Sequence, residues 1–160
     1  MKTQQLIIDW GKAKGIVFAG NETKQYLKFC EEKGELAAEI LKGNLDKAKM
    51  ELGDCIVTVT LLAACLGCSI GDHVTLVRHK VDHQAISVGL MNLESKSGTL
   101  ADELILTKSP FLDGEISGVF FALNILASLL DSSFDECAEL AYNKISKRTG
   151  ENVGGVFVKA

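Results

Sequence analysis

The sequence predicts an all-α protein, a helical bundle made of two pseudo-symmetric halves. Three observations predict it. Apolar residues recur at three- and four-residue intervals through most of the 160-residue chain. Pro110 is the single proline and aromatics make up only 6%, a composition far from that of a β-sandwich. Glycines and capping residues also fall at the edges of the periodic stretches, where helices stop and start.

Residues 4–17 place Leu6, Ile7, Trp10, Ala13 and Val17 at helical spacing and read as a short amphipathic helix. The break Gly20-Asn21-Glu22-Thr23 precedes a second helix running to Lys42, with Leu27, Cys30, Ala37, Ile40 and Leu41 on its apolar positions. Gly43 ends that helix and Asn44 is placed to cap the next. From Leu45 to Gly67 the chain is polar in its first turns and apolar nearly all round after Cys55, so the later part is expected to be buried. Ser69-Ile70-Gly71-Asp72 opens an amphipathic helix expected to reach about Gln84. Further helices are expected from about Ile86 to Thr107 and from the Ser109-Pro110 cap to Leu130. A last one opens on the capping box Ser133-Phe134-Asp135-Glu136 and ends near Gly150. In the tail, Val156-Phe157-Val158 is the only strand-like piece.

The order of events repeats. Shifted by 64 without a gap, Gly34 meets Gly98, Leu36 meets Leu100, Glu39 meets Glu103, Glu51 meets Glu115, Lys80 meets Lys144 and the cap Ser69 meets Ser133. The expected organisation is a single all-α domain over 1–160, with an N-terminal half at 1–86 and a second repeat at 87–160, each burying the face the other exposes. Hydrophobic residues at 47% and charged residues at 24% exclude intrinsic disorder. Seventeen Lys+Arg against 21 Asp+Glu argue against a nucleic-acid-coating or membrane-surface protein. The apolar run from Cys55 to Ile70 is shorter than the roughly 18–20 residues of a membrane span. Five cysteines make no secreted disulfide framework, and the chain is expected to be cytoplasmic.

The chemistry is carried by carboxylates. Glu31-Glu32-Lys33-Gly34-Glu35 is followed, after fifteen residues, by Glu51-Leu52-Gly53-Asp54. Glu32 and Glu35 share one helix face, and so do Glu51 and Asp54. Glu35 stands eight residues before Gly43 and Glu51 eight after, while Glu32 and Asp54 stand eleven away on either side. In an antiparallel hairpin all four reach one level, about 12–16 Å from the turn. Like charges so gathered repel unless a cation sits among them, and an all-oxygen set selects Mg²⁺, Mn²⁺ or Ca²⁺. Gly34 and Gly53, each costing up to about 1 kcal/mol inside a helix, are expected to mark close helix approach beside this site.

E-E-x-x-E followed by E-x-x-D on antiparallel helices resembles the MazG-like all-α nucleoside triphosphate pyrophosphohydrolases, relatives of the dimeric dUTPases. The helix around Trp10, the segment Ala141–Arg148 and the tail Gly155–Lys159 are similar to phage-type members, so the resemblance covers essentially the whole chain. One departure stands out: Glu31, Glu32, Glu35, Glu51 and Asp54 correspond in the second half to Ser95, Lys96, Thr99, Glu115 and Gly118. The second repeat is thus degenerate, keeping one carboxylate of five.

The resemblance implies a Mg²⁺-dependent (Mn²⁺ possible) conversion of an NTP or dNTP to the monophosphate and pyrophosphate. Glu32, Glu35, Glu51 and Asp54 would hold the metal, and Glu31 and Glu35 are both candidates for the general base. Phosphate would be held by Lys80, by Lys144 and Arg148, or by both sets, and Trp10 is a candidate to stack on the base. A fused pair acting as a monomer and a homodimer are both compatible with the sequence.

The rival sites are weaker. Cys65 and Cys68 with His79 and His83 have zinc-ligand residue types, but ten residues separate the pairs, and Cys65 reads more simply as core. Neither a nucleophile elbow nor a phosphate-cradling G-x-x-x-x-G-K-[ST] loop is present. The alternative function is a non-catalytic helical binding or regulatory protein that has kept the fold.

Overall fold

The structure is a computed structural model and describes residues 2–69, 81–106 and 111–159. Among these residues it is all-α apart from one small hairpin. The elements are α1 (Lys2–Ala13), α2 (Glu22–Leu41), α3 (Leu45–Leu66), α4 (His83–Ile105), α5 (Leu112–Leu129), α6 (Phe134–Ile145), β1 (Gly150–Val153) and β2 (Val156–Lys159).

Two helical hairpins, α2–α3 and α4–α5, share the main core. Phe29 and Leu36 of α2, Leu52 and Ile56 of α3, Leu93 and Leu100 of α4, and Ile116 and Leu123 of α5 are fully buried in it. Gly43 turns the first hairpin in a left-handed conformation (φ +71°), which a side chain would resist. The amides of Gly43 and Asn44 bond back to the carbonyls of Ile40 and Glu39 and close α2. Lys33 joins the hairpins from inside: its Nζ donates to Glu94 at 2.8 Å and to the Ser97 hydroxyl at 2.6 Å. An ammonium so buried is tolerated because a carboxylate and a hydroxyl take two of its three donors and the Phe29 ring lies 5.1 Å from it.

α6 lies on α3 at a distance only glycine permits. A Cβ at Gly53 would fall inside the Cys137 carbonyl and against Ala141. A second, smaller core gathers Ile7, Ile16, Val57, Leu61, Ala141 and Ile145, with Trp10 and Phe157 packed against it. This cluster ties α1, α3, α6 and the C-terminal hairpin together. The hairpin pairs Gly150 with Lys159 and Val153 with Val156. Gly155 (φ +92°) anchors it, its carbonyl accepting from Asn21 Nδ2 at 2.9 Å and Gln25 Nε2 at 3.2 Å.

Several boundaries differ from those expected. The helix expected over 69–84 falls mostly on residues outside the described ones, but its end is corrected. Val81 and Asp82 are not helical, and His83 and Gln84 belong to α4, because the Asp82 carboxylate caps that helix by accepting the Gln84 amide at 2.9 Å. α5 starts at Leu112, and the Ser109-Pro110 cap lies outside the described residues. Asn44 sits at the start of α3 but makes no side-chain cap. The Ser133/Glu136 capping box is formed, yet α6 stops at Ile145, and the following segment pairs with Val156–Lys159 instead of staying helical. Gly34 meets nothing within 4 Å of an added Cβ, so close approach explains Gly53 alone. Among the described residues α5 is long and apolar enough to cross a membrane by length and composition, but half of it is buried within the bundle.

Candidate metal and nucleotide site

The α2–α3 hairpin brings the acidic residues together as the spacing about Gly43 requires. One carboxylate oxygen from each of Glu32, Glu35 and Glu51 lies within 4.8 Å of the others. Asp54, one turn beyond Glu51 on α3, is 7% exposed and lines the same cavity as Glu32 and Glu35. That cavity has a volume of about 270 Å³ and is walled by α1, α2, α3, α6 and the C-terminal hairpin.

The acidic end is electrostatically strained. Burial pushes the Glu32 carboxyl above the usual carboxylate range; Lys28 opposes the rise, and Asp54 and Glu35 add to it. Glu51 is raised by burial first and then by Asp54, against the pull of Lys144. Its Oε2 is buried without a hydrogen-bond partner among the described residues. An orphaned carboxylate oxygen inside an all-oxygen cluster is the arrangement a hard divalent cation satisfies, so the residues present fit such an ion.

Cations border the carboxylates. Lys144 Nζ of α6 lies 2.5 Å from Asp54 Oδ2, and Arg148, just past the end of α6, lines the same cavity. Lys28 Nζ stands 2.6 Å from Glu31 and 3.3 Å from Glu32. Glu31 lines the cavity but is outside the three-carboxylate cluster. The apolar end is formed by Trp10, Ile16, Val57, Leu61 and Phe157. Trp10 and Phe157 meet edge to face, with ring centroids 5.5 Å apart, and Trp10 Nε1 is buried without a hydrogen-bond partner among the described residues.

Of the residues singled out from the sequence, Trp10, Glu31, Glu32, Glu35, Asp54, Lys144 and Arg148 line this one cavity, and Glu51 joins it through the cluster. Lys80 lies outside the described residues. Gln25, Lys28, Thr58 and Phe157 also line the cavity and were not anticipated. Lys28 carried a readable signal, one helical turn before Glu32 on the same face; Phe157 carried none beyond its place in the tail. The zinc alternative gains nothing, since Cys65 is buried with its Sγ 3.7 Å from the Ile16 carbonyl. His79 lies outside the described residues.

An uncharacterized 18.2 kDa protein in the rep-hol intergenic region of Haemophilus phage HP1 (strain HP1c1) is 36% identical over 63 residues, 38% of this chain. The aligned part spans only 39% of that relative's length. No solved structure matches the chain. Residues 20–87, which contain the whole acidic hairpin, match the family MazG, the MazG nucleotide pyrophosphohydrolase domain.

Proposed function

We propose that the chain is a Mg²⁺-dependent nucleoside triphosphate pyrophosphohydrolase, with Mn²⁺ able to replace Mg²⁺, that cuts an NTP or dNTP to its monophosphate and pyrophosphate. One observation carries this reading: a three-glutamate cluster and two cations, Lys144 of α6 and Arg148 just past it, share a single cavity with an apolar, aromatic end. The MazG match over residues 20–87 supports the same reaction class. In this reading residues 1–86 hold the acidic site, and residues 87–160 are a degenerate second copy that supplies Lys144 and Arg148.

Glu32, Glu35, Glu51 and Asp54 would hold the cation, which supplies neutralisation of triphosphate charge. In this reading Glu31, which lines the cavity without belonging to the cluster, serves as the general base. It accepts a proton from water as the water oxygen bonds to the α-phosphorus. The bond from that phosphorus to the α–β bridging oxygen breaks, and pyrophosphate leaves with the electron pair. Lys144 and Arg148 hold the departing phosphates, and Trp10 with Phe157 forms a surface for the base.

The test is pyrophosphate release from a panel of NTPs and dNTPs with Mg²⁺, in the wild type and in Asp54→Asn. Metal-dependent turnover abolished by the substitution is expected. A folded chain that binds triphosphate without turning over any nucleotide would mark it as the non-catalytic binding protein instead.

A further inference from the structure

Asp54 is claimed twice. The proposed cation needs it as a fourth carboxylate, yet its Oδ2 already receives the Lys144 ammonium at 2.5 Å, with the Asp54 side chain only 9% exposed. The other three carboxylates, Glu32, Glu35 and Glu51, converge within 4.8 Å with one cation at their edge, Lys28 at 3.3 Å from Glu32, and Glu51 Oε2 has no hydrogen-bond partner among the described residues. Lys144 therefore neutralises the one proposed metal ligand that lies outside the glutamate cluster.

We propose that Lys144 is a positioning latch: without metal it holds Asp54, and on metal entry it is released toward the phosphates, coupling cation binding to triphosphate binding. The inference rests on the cation site of the proposed function. Its moving part is small. The backbone of α6 is fixed against α3 where Gly53 meets Cys137 and Ala141, so Lys144 cannot withdraw by helix movement. Its side chain is 37% exposed and free to swing on a four-carbon stem. An ammonium on Asp54 repels a divalent ion at the neighbouring glutamates. A triphosphate, which offers the ammonium new acceptors in the same cavity, favours the released position. Linkage then requires that metal and phosphate strengthen one another's binding by equal factors.

The full chain is titrated calorimetrically with Mn²⁺ as wild type, Lys144→Met and Lys144→Gln, each checked for folding by thermal melt. Both variants are expected to bind Mn²⁺ about five- to tenfold tighter than wild type without nucleotide. In an Asp54→Asn background the tightening should vanish. Inorganic pyrophosphate, added with Mn²⁺ present, should bind the Lys144 variants more weakly than wild type. Folded variants with unchanged or weaker Mn²⁺ affinity overturn the latch while leaving the cation site standing. Failure of folded wild type and variants alike to bind Mn²⁺ overturns the site, and the latch with it. A readout needing no substitution is the rate of reductive methylation of Lys144, followed by mass spectrometry. Mn²⁺ alone should raise that rate, and an unchanged rate contradicts release.

Discussion

Where α2 faces α3, Glu32, Glu35 and Glu51 bring three carboxylates within 4.8 Å. At the positions 64 residues later, where α4 faces α5, stand Lys96, Thr99 and Glu115. There the Thr99 hydroxyl donates to Glu115 at 2.7 Å, whereas the corresponding Glu51 has an orphaned oxygen. Lys96 runs its side-chain carbons beside Gly118, the position that corresponds to Asp54. The α4–α5 hairpin meets its polar groups without a cluster of acids: the Thr99 hydroxyl bonds the Glu115 carboxylate, and Lys96 is exposed. The helix pairing does not require four acids. Keeping them at the first hairpin, at the cost of buried repulsion, makes sense when a ligand that is not part of the chain completes the site.

That contrast is tested most severely by removing carboxylates one hairpin at a time. Glu35→Gln or Asp54→Asn is expected to lower pyrophosphate release by about a hundredfold or more. Glu115→Gln should stay within about twofold of wild type, since its carboxylate accepts from Thr99 and does not line the cavity. Equal losses at both hairpins would break the asymmetry. Glu31→Gln sharpens the roles further: turnover should fall while Mn²⁺ affinity, read by calorimetry, is kept, whereas Glu35→Gln should lose both.

Packing makes the next largest difference. Gly53→Ala pushes a methyl group into the Cys137 carbonyl and is expected to cost about 1–3 kcal/mol in a denaturant melt. Ser117→Ala, at the corresponding exposed position of α5, should change stability by less than about 0.5 kcal/mol.

Electrostatics follow. Glu32 and Glu51 have folded-state pKa values raised above the usual range, by burial first and acidic neighbours after. A raised carboxyl binds its proton more readily folded than unfolded. Its penalty is therefore in force above the folded pKa and is relieved as pH falls toward the ordinary value of 4.5. The thermal shift given by Mn²⁺ should accordingly be larger at pH 8 than at pH 5, where protons compete with the ion for the carboxylates. Glu51→Gln should raise the melting temperature of the metal-free chain at pH 8 while abolishing the Mn²⁺ shift.

The smallest effect is also the cleanest. Gly34 and Gly98, both in helix interiors with open space around them, should each gain about 0.5–1 kcal/mol on substitution by Ala.

Local signals carried much of this molecule. The turn at Gly43 and the count of residues on either side of it place Glu32, Glu35, Glu51 and Asp54 at one level, because helix rise is uniform and a left-handed glycine fixes where the hairpin folds. The Ser133 box is legible for the same reason: its partners lie three residues apart. What escaped the sequence depends on contacts across long separations. Lys144 meets Asp54 from 90 residues away, through a helix contact that Gly53 permits and Gly34, equally glycine, does not make. The C-terminal hairpin is likewise held by Asn21 and Gln25, more than a hundred residues earlier. The start of α4 was misplaced because Asp82, not the apolar rhythm, sets it.

The most direct test of the central claim is anomalous diffraction from crystals of the full chain grown with Mn²⁺. The account predicts Mn²⁺ density among the Glu32, Glu35 and Glu51 carboxylates, with Asp54 turned to it and nothing beside Glu115. Density at Glu115, or an acidic hairpin left empty at saturating Mn²⁺, would contradict it.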